Sequence, residues 1–289
     1  GRRGGPGDKV QPHPAASEVE AVILDVIPQG LYNDPHREHR DTTIAQAIGV
    51  RRFTLIDGIP LSDLDLFDRV TLAREITKTI IVPGQGRGIK RLIVMLGCLP
   101  GADGNIYCTP LKRLEEDAYN VLIDTITSET PRVKIVEKDE MMKIAKLKNM
   151  PEKILVVPRT PIEYDNLTNL AKTNILEAIK RIIMSNEEFF VEFFNIAGLI
   201  SIRQHALELL KGVGKRTVKL AIRQRERAPF RSFEDVKKVL KIDPVEALAE
   251  KILEEIKGEA KYYLFIQPRD PSSPYFDYIS TIIKEKKQK

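Results

Sequence analysis

The chain has 289 residues, of which 42% are hydrophobic and 30% charged, and its formal net charge is +5. This hydrophobic content excludes an intrinsically disordered chain, and the length predicts two or three domains. No stretch approaches the roughly 20 apolar residues that cross a bilayer, and no leader pattern precedes the first strand, so we expect a cytoplasmic protein with no membrane partner. The positive excess favours polyanionic partners, and many Lys and Glu without Trp suit a thermophile.

The N-terminal part predicts a flexible arm followed by a small β domain. Residues 1–18 are rich in glycine, proline and arginine and carry few apolar side chains, which is typical of a basic arm. Four short β-branched runs then follow at residues 20–27, 44–50, 52–59 and 69–76. Strands this short, with turn residues between them, favour a small closed sheet of the OB kind.

A histidine-containing loop lies between the first two predicted strands. His36 and His39 stand beside Asp34 and Asp41, a pattern that suggests a metal site. However, no thiol or further histidine completes a coordination set, so we expect no metal there. We expect instead a solvated loop that contacts phosphate through its two arginines.

Residues 83–153 predict a small α/β insertion. A glycine-basic loop, G-Q-G-R-G-I-K-R at residues 84–91, leads into a strand, so it does not match a dinucleotide-binding fingerprint. Thr109 is placed to cap a helix with Pro110 at its first position. The alternation of strand and helix predicts pieces that insert into or extend the first sheet. Cys98 and Cys108 are too few for a disulfide framework, so we expect buried thiols.

From residue 165 onward the pattern is helical, and its central feature is a glycine-containing hairpin. Ser201 and Gln204 have the spacing of a capping box, Gly212-Val213-Gly214 ends the first short helix, and a second helix is predicted from Lys215. Such a turn directs backbone N–H groups outward at a helix N-terminus, where phosphate binds. This segment resembles the helix-hairpin-helix motif, which holds nucleic-acid backbone without reading bases.

The hairpin is followed by a degenerate second copy. Ser232 and Asp243 are placed to cap its two helices, and Gly258 to close it. Its turn contains Asp243 and Pro244 instead of glycines, so we expect it to support the first hairpin rather than to bind phosphate. Residues 261–266 predict one more strand before a basic tail.

Together these elements predict an α+β protein. Its N-terminal OB-like β-barrel carries a small α/β insertion, and an all-α tandem helix-hairpin-helix domain follows. The predicted organisation is a basic arm (1–18), an OB-like domain (19–82), an α/β insertion (83–153), a returning strand with connecting helices (154–194), a tandem helix-hairpin-helix domain (195–260), and a terminal strand with a basic tail (261–289).

Several strings resemble an archaeal family, domain of unknown function 655. They are A-V-I-L-D-V-I-P-Q-G and D-R-V-T-L near the N-terminus, and Y-D-N-L-T-N-L-A, N-E-E-F-F-V-E-F-F-N-I-A-G, R-Q-H-A-L-E-L-L-K-G-V-G-K and P-F-R-S-F-E-D-V further on. The resemblance implies an OB-like sheet with tandem helix-hairpin-helix units, RNA binding, and a ribosomal partner, since family genes lie among translation genes. Where the family carries a glycine-lysine run after the fourth strand, this chain has A-R-E-I-T-K.

The leading hypothesis is a non-catalytic, ribosome-associated RNA-binding protein without a cofactor, whose partners are rRNA and ribosomal proteins. A DNA-binding accessory protein of repair or recombination is the alternative, because the same backbone chemistry serves both. An enzyme housed in the insertion and a protein scaffold remain as further hypotheses. The candidate nucleic-acid-binding residues are Gly212, Val213, Gly214, Lys215, Arg216, Lys219 and Arg223 in the hairpin, Arg87, Lys90 and Arg91 in the glycine-basic loop, and Arg37 and Arg40 in the histidine loop.

Overall fold

The computed structural model describes residues 18–289, which divide into two compact units, one that ends at Glu163 and one that spans Tyr164–Lys289. The fold is α+β, as predicted, with the sheet in the first unit and mainly helices in the second. The predicted arm lies outside the described residues except for Glu18. That residue is fully buried, and its carboxylate accepts the N–H groups of Arg51 at 3.0 Å and Arg52 at 2.6 Å. Glu18 therefore belongs to the fold rather than to an arm.

The first unit contains an eight-stranded sheet among its described residues. The strands are β1 (Glu20–Ile27), β2 (Ile44–Gly49), β3 (Leu55–Pro60), β4 (Arg69–Pro83), β5 (Ile89–Pro100), β6 (Ile106–Pro110), β7 (Val133–Ile135) and β8 (Ile154–Val157). Their order is β1-β2-β3-β8-β4-β5-β6-β7. Because β1 also pairs with β4, the strands β1, β2, β3, β8 and β4 pair in a closed cycle.

Apolar side chains of the cycle strands form one buried cluster. Two further apolar clusters pack helices against the sheet. Ala21, Ile23, Ala47 and Leu72 belong to the apolar cluster shared by the cycle strands. Helix α1 (Glu116–Glu129) packs Leu122 against β4, β5 and β6, and helix α2 (Lys138–Leu147) packs on another apolar cluster of the sheet. The predicted insertion therefore extends the first sheet, through a β4 that runs for 15 residues.

The predicted helix start at Thr109 is wrong. Thr109 and Pro110 end β6, where Thr109 is buried and lies opposite Gly97 of β5. Helix α1 begins only at Glu116. Threonine followed by proline also suits the end of a strand, and pairing with β5 outweighs the local capping preference.

The two cysteines form a disulfide, which corrects the expectation of free buried thiols. Cys98 of β5 and Cys108 of β6 lie directly opposite each other, with their Cα atoms 4.1 Å apart. The cysteine count excluded a framework of several disulfides, but it carried no information about one cross-strand pair.

This disulfide makes the stability of the first unit dependent on redox state. The crosslink closes a short loop, because its cysteines are 10 residues apart. We expect reduction to lower the free energy of unfolding by about 2–3 kcal/mol, mainly because the unfolded chain regains conformational freedom. Urea unfolding with and without reductant measures this difference. Alkylation under denaturing conditions without reductant should label no thiol, and labelling of both cysteines would contradict the crosslink.

The second unit is mainly helical. Its helices are α3 (Asn169–Ser185), α4 (Glu187–Ile196), α5 (Lys215–Arg227), α6 (Phe233–Leu240), α7 (Pro244–Ile256) and α8 (Tyr278–Gln288), and its short ribbon is β9 (Leu199–Ser201) with β10 (Gln204–His205). Phenylalanines of α4 pack a core: Phe193 contacts Phe194, Phe265 and Tyr278 with ring centroids 5.0–5.5 Å apart. No helix described in residues 18–289 is long and apolar enough to cross a membrane.

The predicted C-terminal strand is wrong. Residues 261–266 make only one isolated bridge, Tyr263 with Tyr275, and their backbone is held by a helix instead. The buried Glu255 of α7 accepts the N–H groups of Phe265 at 2.8 Å and Ile266 at 3.0 Å. The basic residues of the tail form the end of α8.

Candidate nucleic-acid interface

The predicted glycine bend lies between a one-turn 3-10 helix, Ala206–Leu209, and the N-terminus of α5. Gly212 has a φ of +86°, a conformation that suits glycine because it has no Cβ. Gly214 is the N-cap of α5 with φ −106° and ψ −179°, which is ordinary extended backbone. Of the two glycines, only Gly212 is therefore required by the turn geometry.

The predicted capping box is wrong in its residues. Ser201 and Gln204 pair with each other across the β9–β10 ribbon instead of starting a helix. The next residue makes the cap: His205 Nδ1 accepts the N–H of Leu207 at 3.1 Å, and the His205 N–H donates to Glu208 Oε2 at 2.7 Å. Histidine is not among the usual N-cap residues, so the sequence does not reveal this cap.

The apolar residues around the bend turn its glycines outward. Leu207, Leu210 and Val213 are buried, whereas Gly212 and Gly214 are exposed. A Cβ added to Gly214 would meet no atom within 4 Å. The bend is thus open to a ligand at Gly214.

The hydrogen bonds of the bend leave some predicted phosphate donors free and occupy one. The N–H of Val213 donates to the carbonyl of Leu210 at 3.1 Å, so it is not available to a ligand, contrary to the prediction. Among the described residues, no acceptor takes the N–H groups of Gly214, Lys215 or Arg216. These three amides at the start of α5 are the available donors.

The exposed basic residues along α5, here called the α5 stripe, are largely without acidic partners. Arg216, Lys219, Arg223 and Arg227 are all exposed, and none pairs with a carboxylate in the described part of the chain. Lys215 is different, because its Nζ donates to the carbonyl of Arg203 at 2.7 Å and lies 3.5 Å from Glu208 Oε1.

Glu208 is the carboxylate nearest the start of α5 among the described ion pairs. The N–H of His205 holds the pKa of Glu208 below its usual value, and Lys215 adds to this effect. The carboxylate of Glu208 therefore pairs with the ammonium group of Lys215 and accepts the N–H of His205. The other basic residues of the stripe have no carboxylate partner among the described residues and can therefore pair with an anionic ligand.

The first turn of α5 contains no acidic residue and has no side-chain cap. Helices α6 and α7 are capped by Ser232 Oγ, which accepts the N–H of Asp235 at 3.1 Å, and by Asp243 Oδ1. Gly214 offers no side-chain cap, and the first turn of α5 carries Lys215 and Arg216 without an acid. Because positive charge at a helix N-terminus opposes the helix dipole, an anion bound there relieves an unfavourable interaction.

The second hairpin packs against the first. Ile242 Cγ2 lies 3.2 Å from the position that a Cβ on Gly212 would occupy. Asp243 accepts the N–H of Glu246 at 3.2 Å, so this helix N-terminus already holds a carboxylate. This contact between Ile242 and Gly212 agrees with the supporting role predicted for the second hairpin. That the second hairpin does not bind phosphate stays a prediction.

The glycine-basic loop of the first unit is the tip of the β4–β5 hairpin. The Gly84 N–H donates to the Gly88 carbonyl at 2.8 Å across a turn whose Gly86 has a φ of +79°. Arg87 lies in this turn, and Lys90 and Arg91 follow it on β5; all three are exposed. Because Lys90 and Arg91 are adjacent in a strand, their side chains point to opposite faces.

The prediction of a solvated histidine loop is wrong, because two of its polar residues are buried. His39 and Asp34 are buried, Asp41 is exposed, and the fourth polar group of the cluster is the buried Asp57 of β3. Local spacing missed Asp57 because it is distant in sequence, although an aspartate inside the apolar run L-I-D-G-I is itself an unusual signal.

The two arginines of this loop have different environments. Arg37 is exposed, as a phosphate contact requires. Arg40 is half-buried, and its Nε donates to the carbonyl of Asp34 at 3.2 Å. Arg40 therefore holds the loop backbone through this hydrogen bond.

Comparison with known proteins places this chain in a family. The chain is 35% identical over 111 residues to an uncharacterized protein, MJ0038, of Methanocaldococcus jannaschii, a match that covers 38% of this chain and about half, 51%, of that relative. A crystal structure of Af1531 from Archaeoglobus fulgidus matches with 26% identity and a TM-score of 0.49, covering 86% of this chain and 100% of the other. These archaeal relatives agree with the archaeal origin expected of the family. The family described as "Protein of unknown function (DUF655)" matches residues 17–267, and the chain belongs to it.

Proposed function

We propose that this protein is a non-catalytic RNA-binding protein that holds backbone phosphate at the bend before α5. In this proposal the cycle of β1, β2, β3, β8 and β4 is an OB-like barrel. The segment from Ala206 to Arg227 and the pair of α6 and α7 are tandem helix-hairpin-helix units. Five closed strands and two consecutive helical hairpins support this description.

The observation that carries the proposal is the coincidence of free amides and free cations. The N–H groups of Gly214, Lys215 and Arg216 have no acceptor within residues 18–289, and nothing stands within 4 Å above Gly214. Lys219 and Arg223 continue the positive surface one and two turns along the helix. A phosphate accepts from helix N-terminal amides, and the next phosphates of the strand lie near the cations.

One such surface binds weakly. Backbone contacts without base reading give dissociation constants of roughly 10⁻⁴ to 10⁻⁶ M at physiological salt. A tight complex therefore needs several surfaces on one partner. The exposed Arg37 and the hairpin residues Arg87, Lys90 and Arg91 of the first unit are the further contacts we propose. A large RNA such as rRNA within a ribosomal subunit, with its ribosomal proteins, is the kind of partner that engages all of them.

Crosslinking in an archaeal lysate, followed by sequencing of the bound nucleic acid, tests this function. We expect enrichment of rRNA, and we expect RNA to outcompete DNA of the same sequence because only a 2′-OH contact separates the two. Preferential recovery of DNA would favour the alternative of a DNA-binding accessory protein. Recovery of no nucleic acid would leave the scaffold hypothesis and reject binding at α5.

A further inference from the structure

We infer that Asp34, His36, His39 and Asp57 bind one divalent transition-metal ion, with Zn²⁺ as the preferred ion. Each residue offers one ligand atom, and these four atoms lie within 4.8 Å of one another. Two imidazoles and two carboxylates form a complete four-ligand set, which is the closed arrangement of a structural zinc site.

The distances between the facing atoms are close to those between the ligand atoms of a tetrahedral ion. Metal–ligand bonds of about 2.0–2.2 Å place tetrahedral ligand atoms about 3.3–3.6 Å apart. His36 Nδ1 lies 3.4 Å from Asp34 Oδ1 and 2.8 Å from Asp57 Oδ1. His39 Nδ1 lies 3.8 Å from Asp34 Oδ2 and 3.1 Å from Asp57 Oδ2. These distances involve both oxygens of each carboxylate, so a tetrahedral site requires each carboxyl group to rotate until one of its oxygens faces both histidines.

Buried polar atoms without hydrogen bonds converge on the same point. Asp34 Oδ2, Asp57 Oδ1 and His36 Nδ1 make no hydrogen bond of acceptable geometry, although Asp57 Oδ1 is close to His36 Nδ1. The side chains of Asp34 and Asp57 are each 1% exposed. Leaving such groups unsatisfied is costly, and a cation at the centre of the cluster satisfies them together.

The outer ring nitrogens are held in the way that metal-binding histidines require. His36 Nε2 lies 2.6 Å from Thr160 Oγ1, and His39 Nε2 lies 3.3 Å from Glu75 Oε2. With each Nε2–H donating outward, both Nδ1 atoms are free to face the carboxylates as ligands. Such outer partners fix the tautomer and orientation of ligating histidines.

Without a metal ion, the positive charge in this cluster would come from protonation of both His36 and His39. Burial lowers the pKa of both histidines, but the facing carboxylates outweigh it and raise the pKa to about 10 for His36 and about 9 for His39. Two imidazolium groups therefore supply the same +2 charge as one divalent ion with two neutral imidazoles. The metal is favoured because one ion can bind an atom of each of the four residues, whereas in the observed arrangement Asp34 Oδ2, Asp57 Oδ1 and His36 Nδ1 make no hydrogen bond of acceptable geometry.

The loop between β1 and β2 is folded tightly around this cluster. A Cβ on Gly30 would lie 2.2 Å from the carbonyl oxygen of His39, and Gly30 has a φ of +70°. Arg40 holds the carbonyl of Asp34 from the other side. A bound ion therefore fixes a loop of irregular backbone against β3, and with it the exposed Arg37.

Metal analysis of untagged, full-length protein tests the inference. After exhaustive chelation and addition of Zn²⁺, we expect one equivalent per chain by elemental analysis. Thr160→Val should weaken Zn²⁺ binding about 10- to 100-fold, as loss of an outer partner does. His36→Ala and Asp57→Asn should abolish stoichiometric binding. Asp41→Asn, a matched change at the exposed neighbour, should retain it.

A spectroscopic measurement on the unmodified protein keeps the test decisive if the variants misfold. Co²⁺ in this site should give the intense visible bands of tetrahedral coordination, without the charge-transfer band of a thiolate ligand. Zn²⁺ should remove these bands by competition. Absence of stoichiometric metal, octahedral Co²⁺ only, or full binding by folded His36→Ala and Asp57→Asn would each overturn the inference.

Discussion

Replacement of Lys219 and Arg223 by glutamate should lower RNA affinity about 100-fold at 0.1 M salt. Each neutralised phosphate contributes about 0.7 to the slope of log affinity against log salt for a single strand and about 0.9 for a duplex. Losing two contacts should therefore reduce the slope by about 1.4 or 1.8. Fluorescence anisotropy across a salt series measures both quantities.

The matched control is Lys180→Glu with Arg181→Glu on α3. This variant has the same change in net charge, but Lys180 lies 3.7 Å from Glu246 and Arg181 lies 3.1 Å from Glu177. Because these cations already have acidic partners, we expect a change in RNA affinity of less than about 3-fold. Equal losses in the two variants would mean that net charge, and not the α5 stripe, governs binding.

Replacement of Glu255 by alanine should lower the free energy of unfolding by about 3–5 kcal/mol. It would leave the N–H groups of Phe265 and Ile266 without their acceptor. It would also remove a carboxylate 3.6 Å from the ammonium of Lys251, whose side chain is only 4% exposed. Glu254→Ala has the same charge change at a half-exposed partner of Lys251, so it should cost less than about 1 kcal/mol in urea unfolding. Equal costs would contradict the buried role of Glu255.

The same residue should make stability depend on pH. Burial raises the pKa of Glu255 to about 7, although Lys251 and the two backbone N–H groups oppose this shift. Between pH 5 and 8 the unfolded chain loses this proton before the folded protein does, so the free energy of unfolding falls as pH rises. We expect the wild type to lose about 2 kcal/mol relative to Glu255→Gln over this interval. A parallel pH dependence in the two proteins would show that Glu255 ionises normally.

Elements with strong local patterns were predictable, and those that depend on distant pairing were not. Glu20–Ile27 has the predicted bounds because its β-branched residues are continuous and turn residues follow them. β6 was missed because its Thr109-Pro110 resembles a helix start, and only pairing with β5 identifies it as a strand. The disulfide depends on that same pairing.

The candidate interface shows the same division. The start of α5 at Lys215 was predicted from the glycine turn, and the exposed Lys219 and Arg223 were among the predicted binding residues. The occupied N–H of Val213 and the cap at His205 depend on how the bend closes, which residue types do not specify. Asp57 joins the histidines only through the pairing of β2 with β3, so no local motif includes it.

Binding by Gly214→Asp tests the central claim most directly. Gly214 has the extended backbone of an N-cap and open space above it, so an aspartate there should cap α5 and place a carboxylate where phosphate is proposed to bind. We expect unchanged or slightly higher stability, because the new charge favours the helix dipole, together with at least 10-fold weaker RNA binding. Gly198→Asp adds the same charge at another glycine with open space, and it should bind RNA as the wild type does. Wild-type affinity in a folded Gly214→Asp protein would contradict phosphate binding at this bend.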